Sequence, residues 1–242
     1  MAYFTDFPVT AYRFGNELNA NIFPDLSTYV SILDLIKDSI SFYNGYYIQD
    51  GERPDQVAYK LYRDPNLHWT FYFMNDSIRE RGWPLSNREI LAQVDKDFTH
   101  NVLVTRTPLA GKFKVGQTIE GTNSSATATI KHRNLDLGQL TLDDVSGTFT
   151  NNETIESTNA NGFLETIVSQ SYSSEALAVH HYENDAGEWV DIDPTIGPGA
   201  LYTAITNTDR YIALNDELKQ IRVIKPSAIL DVVDAFKEAL KA

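Results

Sequence analysis

His180, His181 and Glu183 come closest, by residue type and spacing, to a metal site. Zinc takes three or four ligands, and the sequence has no cysteine to complete a set. Adjacent residues of a strand point to opposite faces, so at most one of these histidines shares a face with Glu183. A hydrogen-bonded strand pair is therefore expected, with neither metal nor other cofactor. The clusters Asp143-Asp144 and Asp191-x-Asp193 lie beside turn residues, where Asp side chains usually bond their own backbone. A glycosidase using Asp191, Asp193 or Glu183 as acid and base rests on composition alone, because a chain with 33 acidic residues supplies carboxylate pairs by chance. No Gly-x-Gly-x-x-Gly, P-loop, Gly-x-Ser-x-Gly or His-Glu-x-x-His occurs, and Gly197-Pro198-Gly199 is a turn whose proline removes a donor that a phosphate cradle would use. The expectation is a protein without catalysis.

The 242 residues carry 20 Lys and Arg against 33 Asp and Glu, a formal charge of −13. That balance opposes binding to nucleic acid or anionic lipid, both polyanions, and favours a basic partner surface. Hydrophobic residues make up 42% of the chain, too many for a disordered one. No apolar stretch approaches the roughly 18 residues of a membrane helix, and Met1 to Asp6 lacks the basic flank of a secretion signal. The missing cysteines exclude thiol catalysis and disulfides, and fit maturation in a reducing cytoplasm.

The elements that would position any site fall into two kinds of sequence. Residues 40 to 85 hold eleven Phe, Tyr and Trp, whereas residues 107 to 168 hold only Phe113, Phe149 and Phe163. Upstream, Tyr29, Ile32, Leu33, Ile36 and Ile40 have amphipathic helical spacing, with Gly45 as its stop. Phe7-Pro8 and Phe23-Pro24 punctuate an irregular arm whose aromatics need a surface to cover them. Within the aromatic block, Tyr46 to Ile48 predicts a strand, Asp55 to Arg63 a helix opened by Pro54, and Asp64-Pro65 a second, nearly all-apolar helix through Met74. Ser86 to Glu89 is a capping box for a helix carrying Ile90, Leu91 and Val94.

The low-aromatic segment repeats itself. Phe113 to Asn123 matches Phe149 to Asn159 at six of eleven positions, where chance gives roughly one. Short strands with Gly and Asn turns predict a small all-β sandwich or barrel. Further on, 176–183 and 188–192 read as a hairpin, 211–214 and 218–224 as another around Asn215-Asp216, and Ile229, Val233, Phe236 and Leu240 as one face of a final helix. The fold class expected is α+β, with an N-terminal part over 1–106, an inserted β-repeat module over 107–170, and hairpins and a helix over 171–242 that complete the body.

The block from Tyr46 to Asn75 resembles a LysM module, a βααβ unit, in its aromatic strand, Gly51 turn, Val57-Ala58 and Leu61-Tyr62 helix, and Pro65-led second helix. LysM modules commonly bind N-acetylglucosamine polymers such as peptidoglycan. Trp69, Phe71, Tyr72 and Phe73 crowd a helix that is usually more polar, committing it to protein contacts instead of glycan. Arg53 to Trp69, continuing to Met74-Asn75-Asp76 and Gly82-Trp83, with Leu214 to Lys225 near the end, is similar to baseplate wedge protein fifty-three of T4-like contractile-tailed phages.

This resemblance implies a structural virion protein of the tail baseplate, assembled in the host cytoplasm. It would pack on other wedge proteins and join neighbouring wedges into a six-fold ring, without nucleic acid or membrane. Aromatics are enriched in permanent interfaces, so the expected partner-facing residues are Tyr47, Trp69, Tyr72, Trp83, Ile229, Val233 and Phe236. The same residues equally suit the core of their own α+β unit.

Overall fold

A computed structural model describes residues 9–15, 19–24 and 42–239. The predicted helix from Tyr29 to Ile40 and the Phe7-Pro8 corner lie outside the described residues. The protein is mixed α+β and divides into two compact units, 1–87 with 215–242 and 88–214.

Strands β1 (Val9–Tyr12) and β2 (Asn21–Pro24) pair antiparallel as a separate hairpin. Strand β3 (Tyr43–Tyr47) contains Gly45, which is therefore a strand residue and not a helix stop. Helix α1 (Pro54–Tyr62) opens as predicted, with Pro54 at its first position and the Gln56 side chain accepting from the Arg53 amide at 3.1 Å. Arg63 ends it in the left-handed region at φ 61°. Asp64 then caps a 3-10 turn, Pro65–His68, accepting from the Asn66 amide at 2.9 Å. Only after that turn does helix α2 (Trp69–Met74) form, buried nearly all round, followed by α3 (Asp76–Arg81) and α4 (Asn87–Asp97). In α4, Ile90 and Val94 are buried and Leu91 is exposed.

Strands β4 (Asn101–Thr105), β5 (Thr118–Gly121), β6 (Thr127–Asn134), β7 (Gln139–Ser146), β8 (Thr154–Thr158) and β9 (Leu164–Ser174) close into an antiparallel barrel in the order β4-β7-β6-β5-β8-β9. The β module therefore runs from Asn101 to Ser174, beyond the 107–170 expected, because β4 closes the ring between β7 and β9. Its core collects Phe113 with Phe149 and Ile119 with Ile155, the paired positions of the repeat. The two copies meet at the β5–β8 pairing, with Glu120 opposite Glu156. Gly121 allows one copy to differ: a Cβ there would sit 2.7 Å from a Glu153 oxygen, so only glycine lets the buried carboxylate approach.

Beyond the barrel, β10 (Val179–Glu183) pairs with β11 (Trp189–Val190), the expected hairpin, and also with β12 (Thr203–Thr206). The second expected hairpin is absent. Helix α5 (Asn207–Lys219) runs through Asn215-Asp216, and only β13 (Gln220–Ile224) is extended. The cause is a reciprocal cap: the Asp209 carboxylate accepts from the Thr206 amide at 3.0 Å, and the Thr206 hydroxyl accepts from the Asp209 amide at 3.1 Å. Strand β13 pairs antiparallel with β3, placing Ile221 opposite Tyr46 and Ile224 opposite Tyr43. Helix α6 (Ile229–Ala239) closes the chain.

Candidate partner interface

Two buried asparagines join the distant parts of the first unit. At the end of α2, Asn75 donates to the carbonyls of Phe71 and Arg222, both at 2.8 Å, and accepts from the Arg222 amide at 2.8 Å. Asn215 accepts from the Leu85 amide at 2.8 Å and donates to the Leu85 carbonyl at 2.9 Å. Each amide side chain acts as one residue of a sheet ladder, offering a donor and an acceptor to backbone groups, which for Arg222 lie on the edge of β13 away from β3. Sequence reasoning missed both as positioning residues, although each stands in a block of the wedge-protein resemblance.

The turn between β3 and α1 is held by Glu52, which accepts from the Gln49 amide at 2.9 Å, the Tyr46 hydroxyl at 2.9 Å and the Lys60 ammonium at 3.1 Å. Burial opposes its charge, but these donors outweigh it and hold the carboxyl below its usual range. Every partner is structural, so this carboxylate locks a turn. Tyr62, pushed well above the ordinary phenol value by burial, donates to the Ile224 carbonyl at 2.9 Å.

Against that frame, the expected interface residues separate. Trp69, Ile229, Val233 and Phe236 are buried in one cluster with Phe73, Met74, Ile224 and Val232. The Trp69 and Phe236 rings lie 4.9 Å apart. These four are therefore core residues, and the expectation that they face a partner is corrected: the stripe on α6 and the face of α2 satisfy each other. Tyr72 and Trp83 are half-buried, with ring centroids 6.0 Å apart, and the Trp83 indole donates to the Glu52 carbonyl at 2.6 Å. Tyr47 is exposed.

Among the described residues of this unit, the β1–β2 hairpin carries a group of exposed apolar side chains. Val9, Tyr12, Phe14, Ile22 and Phe23 are all exposed, with Val9 and Ile22 above 70%. Phe14 bridges Tyr12 at 5.0 Å and Phe23 at 5.6 Å, both edge to face. Of these, only Phe23 was singled out in the sequence, where its proline marked a corner.

The titratable candidates behave as structural groups. His180 and His181 do not point apart: a bulge between Val179 and His181 shifts the register, and the two Nδ1 atoms come within 2.9 Å. His181 also contacts Glu183 at 2.9 Å and stacks on Trp189 at 4.0 Å. Burial, then the charges of His181 and Arg210, lowers the His180 pKa. Among the described residues no group of three or more His, Asp or Glu could hold a metal. Asp193 accepts from the Thr195 hydroxyl and amide, which lower its pKa, and Asp143 accepts from the Asp144 amide at 3.1 Å, both local turn bonds. No helix among the described residues is long and apolar enough to cross a membrane.

Residues 4–94 match the family model described as base plate wedge protein 53. No curated protein matches the chain. The family match supports a structural role in a phage tail baseplate, with other baseplate proteins as partners, and suggests a non-enzyme. It lends no support to glycan binding.

Proposed function

We propose that this chain is a baseplate wedge subunit that packs on the wedge core and joins neighbouring wedges into a six-fold ring at the end of a contractile tail. The observation that carries this reading is the β1–β2 hairpin: within the family-matched segment it holds five large apolar residues in solvent. Apolar surface of that kind marks a protein interface. Tyr47 and the half-buried Tyr72 and Trp83 are the remaining partner-facing candidates. The body is LysM-like, a reading supported by the order β3, α1, α2, β13 with antiparallel outer strands, the last supplied from residues 220–224 after the inserted β module. A chain without cysteine suits assembly in a reducing host cytoplasm.

The test is complementation of particles lacking this protein, using the full chain and a Tyr12→Ser, Phe14→Ser, Phe23→Ser variant. The expected result is unjoined wedges without the protein, full rescue by the wild type and little by the variant. Complete baseplates assembled without it would overturn the proposal.

A further inference from the structure

The two copies of the repeat meet at β5 and β8, where Glu120 lies directly opposite Glu156. Ile119 and Ile155 are fully buried in the barrel core, so strand alternation turns both glutamates outward. Like charges directly opposite on neighbouring strands repel. No ion pair or hydrogen bond engages either carboxylate among the described residues. The repeat module's other two glutamates are fully engaged. Glu153 accepts from the amides of Thr150, Asn123 and Ser124, and Glu165 accepts from the Phe113 amide, Gln117 and Asn159.

A groove of about 890 Å³ runs over the free pair. Val115 and Leu164, each 61% exposed, give it an apolar rim, and Lys114 lines it as well. Residues 88–214 hold 17 acidic against 8 basic residues, so most of the chain's excess negative charge is in this unit. We propose that the groove docks a basic segment of a partner protein, in which an arginine or a pair of lysines bridges Glu120 and Glu156 while a neighbouring aliphatic side chain covers Val115 and Leu164. A guanidinium fork reaches two carboxylates at once and removes their repulsion. The negative pair disfavours nucleic acid and anionic lipid, and no third ligand completes a metal site among the described residues. This inference goes beyond the wedge reading and does not depend on it.

The test titrates the full chain into a fluorescein-labelled peptide of alternating arginine and leucine, with two controls: glutamate in place of arginine, and serine in place of leucine. Saturable one-to-one binding of the arginine–leucine peptide is expected, weakened by added salt. The double variant Glu120→Gln, Glu156→Gln should bind it about tenfold or more weakly, from lost charge-assisted contacts. Its melting temperature should be unchanged or raised, since the substitution removes a like-charge pair. A charge-matched control, Asp185→Asn with Asp191→Asn, should bind like the wild type. Leu164→Ser should weaken the arginine–leucine peptide but not the arginine–serine peptide. Equal weakening by both double variants, equal binding of the glutamate peptide, or no binding by the wild type would each overturn the proposal. Because the assay uses isolated chain and peptide, its failure is separate from failure of particle complementation.

Discussion

The barrel is built from one contiguous run, Asn101 to Ser174, whereas the α/β unit is incomplete until residues 220–224 return to pair with β3. In the barrel each strand finds a neighbour within the same module, and two copies of one pattern supply matching core residues. In the α/β unit the core is shared between chain ends: Phe71 meets Leu218, Ile221 and Val223, and Trp69 meets Phe236. Local contacts close with less entropy lost than distant ones. The contrast teaches that a unit split by an insertion needs dedicated bridges, which Asn75 and Asn215 supply.

The largest expected effect is from Phe71→Ala, which empties a fully buried site and should destabilise the α/β unit by about 3–5 kcal/mol. Hydrogen exchange would check it: faster exchange at Val223 and Ile224 with protection retained at Ile119 and Ile155 fits two units of separate stability. Equal loss at both would break the comparison. Next, Asn75→Ala should cost about 1–3 kcal/mol, because the amide and carbonyl of Arg222 lose their partner while the Phe71 carbonyl keeps its bond from the residue 75 amide. Denaturant melting of that variant against the wild type measures this.

Glu153→Gln reverses the roles and should weaken the barrel alone by about 1–3 kcal/mol. Burial opposes the Glu153 charge, but the Thr150, Ser124 and Asn123 donors hold its folded pKa below the unfolded value. A depressed carboxyl contributes stability that is present above the unfolded pKa and lost as pH falls through the folded one. The wild type's advantage over Glu153→Gln should therefore shrink as acid melting curves go below the ordinary carboxylate range. The smallest effect is expected for Tyr62→Phe, which removes one bond to the Ile224 carbonyl, about 1 kcal/mol. Melting of the α/β unit should register it, with the barrel unmoved.

Much of the local structure was legible in the residues. Pro54, Asp64-Pro65 and the repeat at Phe113 and Phe149 are short-range devices, and each produced the element it predicted, although the second helix begins with a 3-10 turn. The strand reading of 211–214 failed because the Thr206–Asp209 cap favours a helix that alternating apolar residues alone did not reveal. The histidines form the hydrogen-bonded strand pair expected, with His181 reaching Glu183, but the bulge that brings the two rings together is announced by no residue type. The interface list erred where hydrophobicity is ambiguous: Trp69, Ile229, Val233 and Phe236 look alike whether they cover a partner or each other.

By itself the sequence determined the acidic balance, the two kinds of module and the helix starts, since composition and spacing act over a few residues. Only the tertiary structure decided that β13 completes the sheet with β3, that Asn75 and Asn215 bridge the chain ends, that the aromatic arm rather than the final helix is exposed, and that Glu120 faces Glu156. Each of these is a pairing between residues far apart in the chain, fixed by which surfaces remain once local elements have formed.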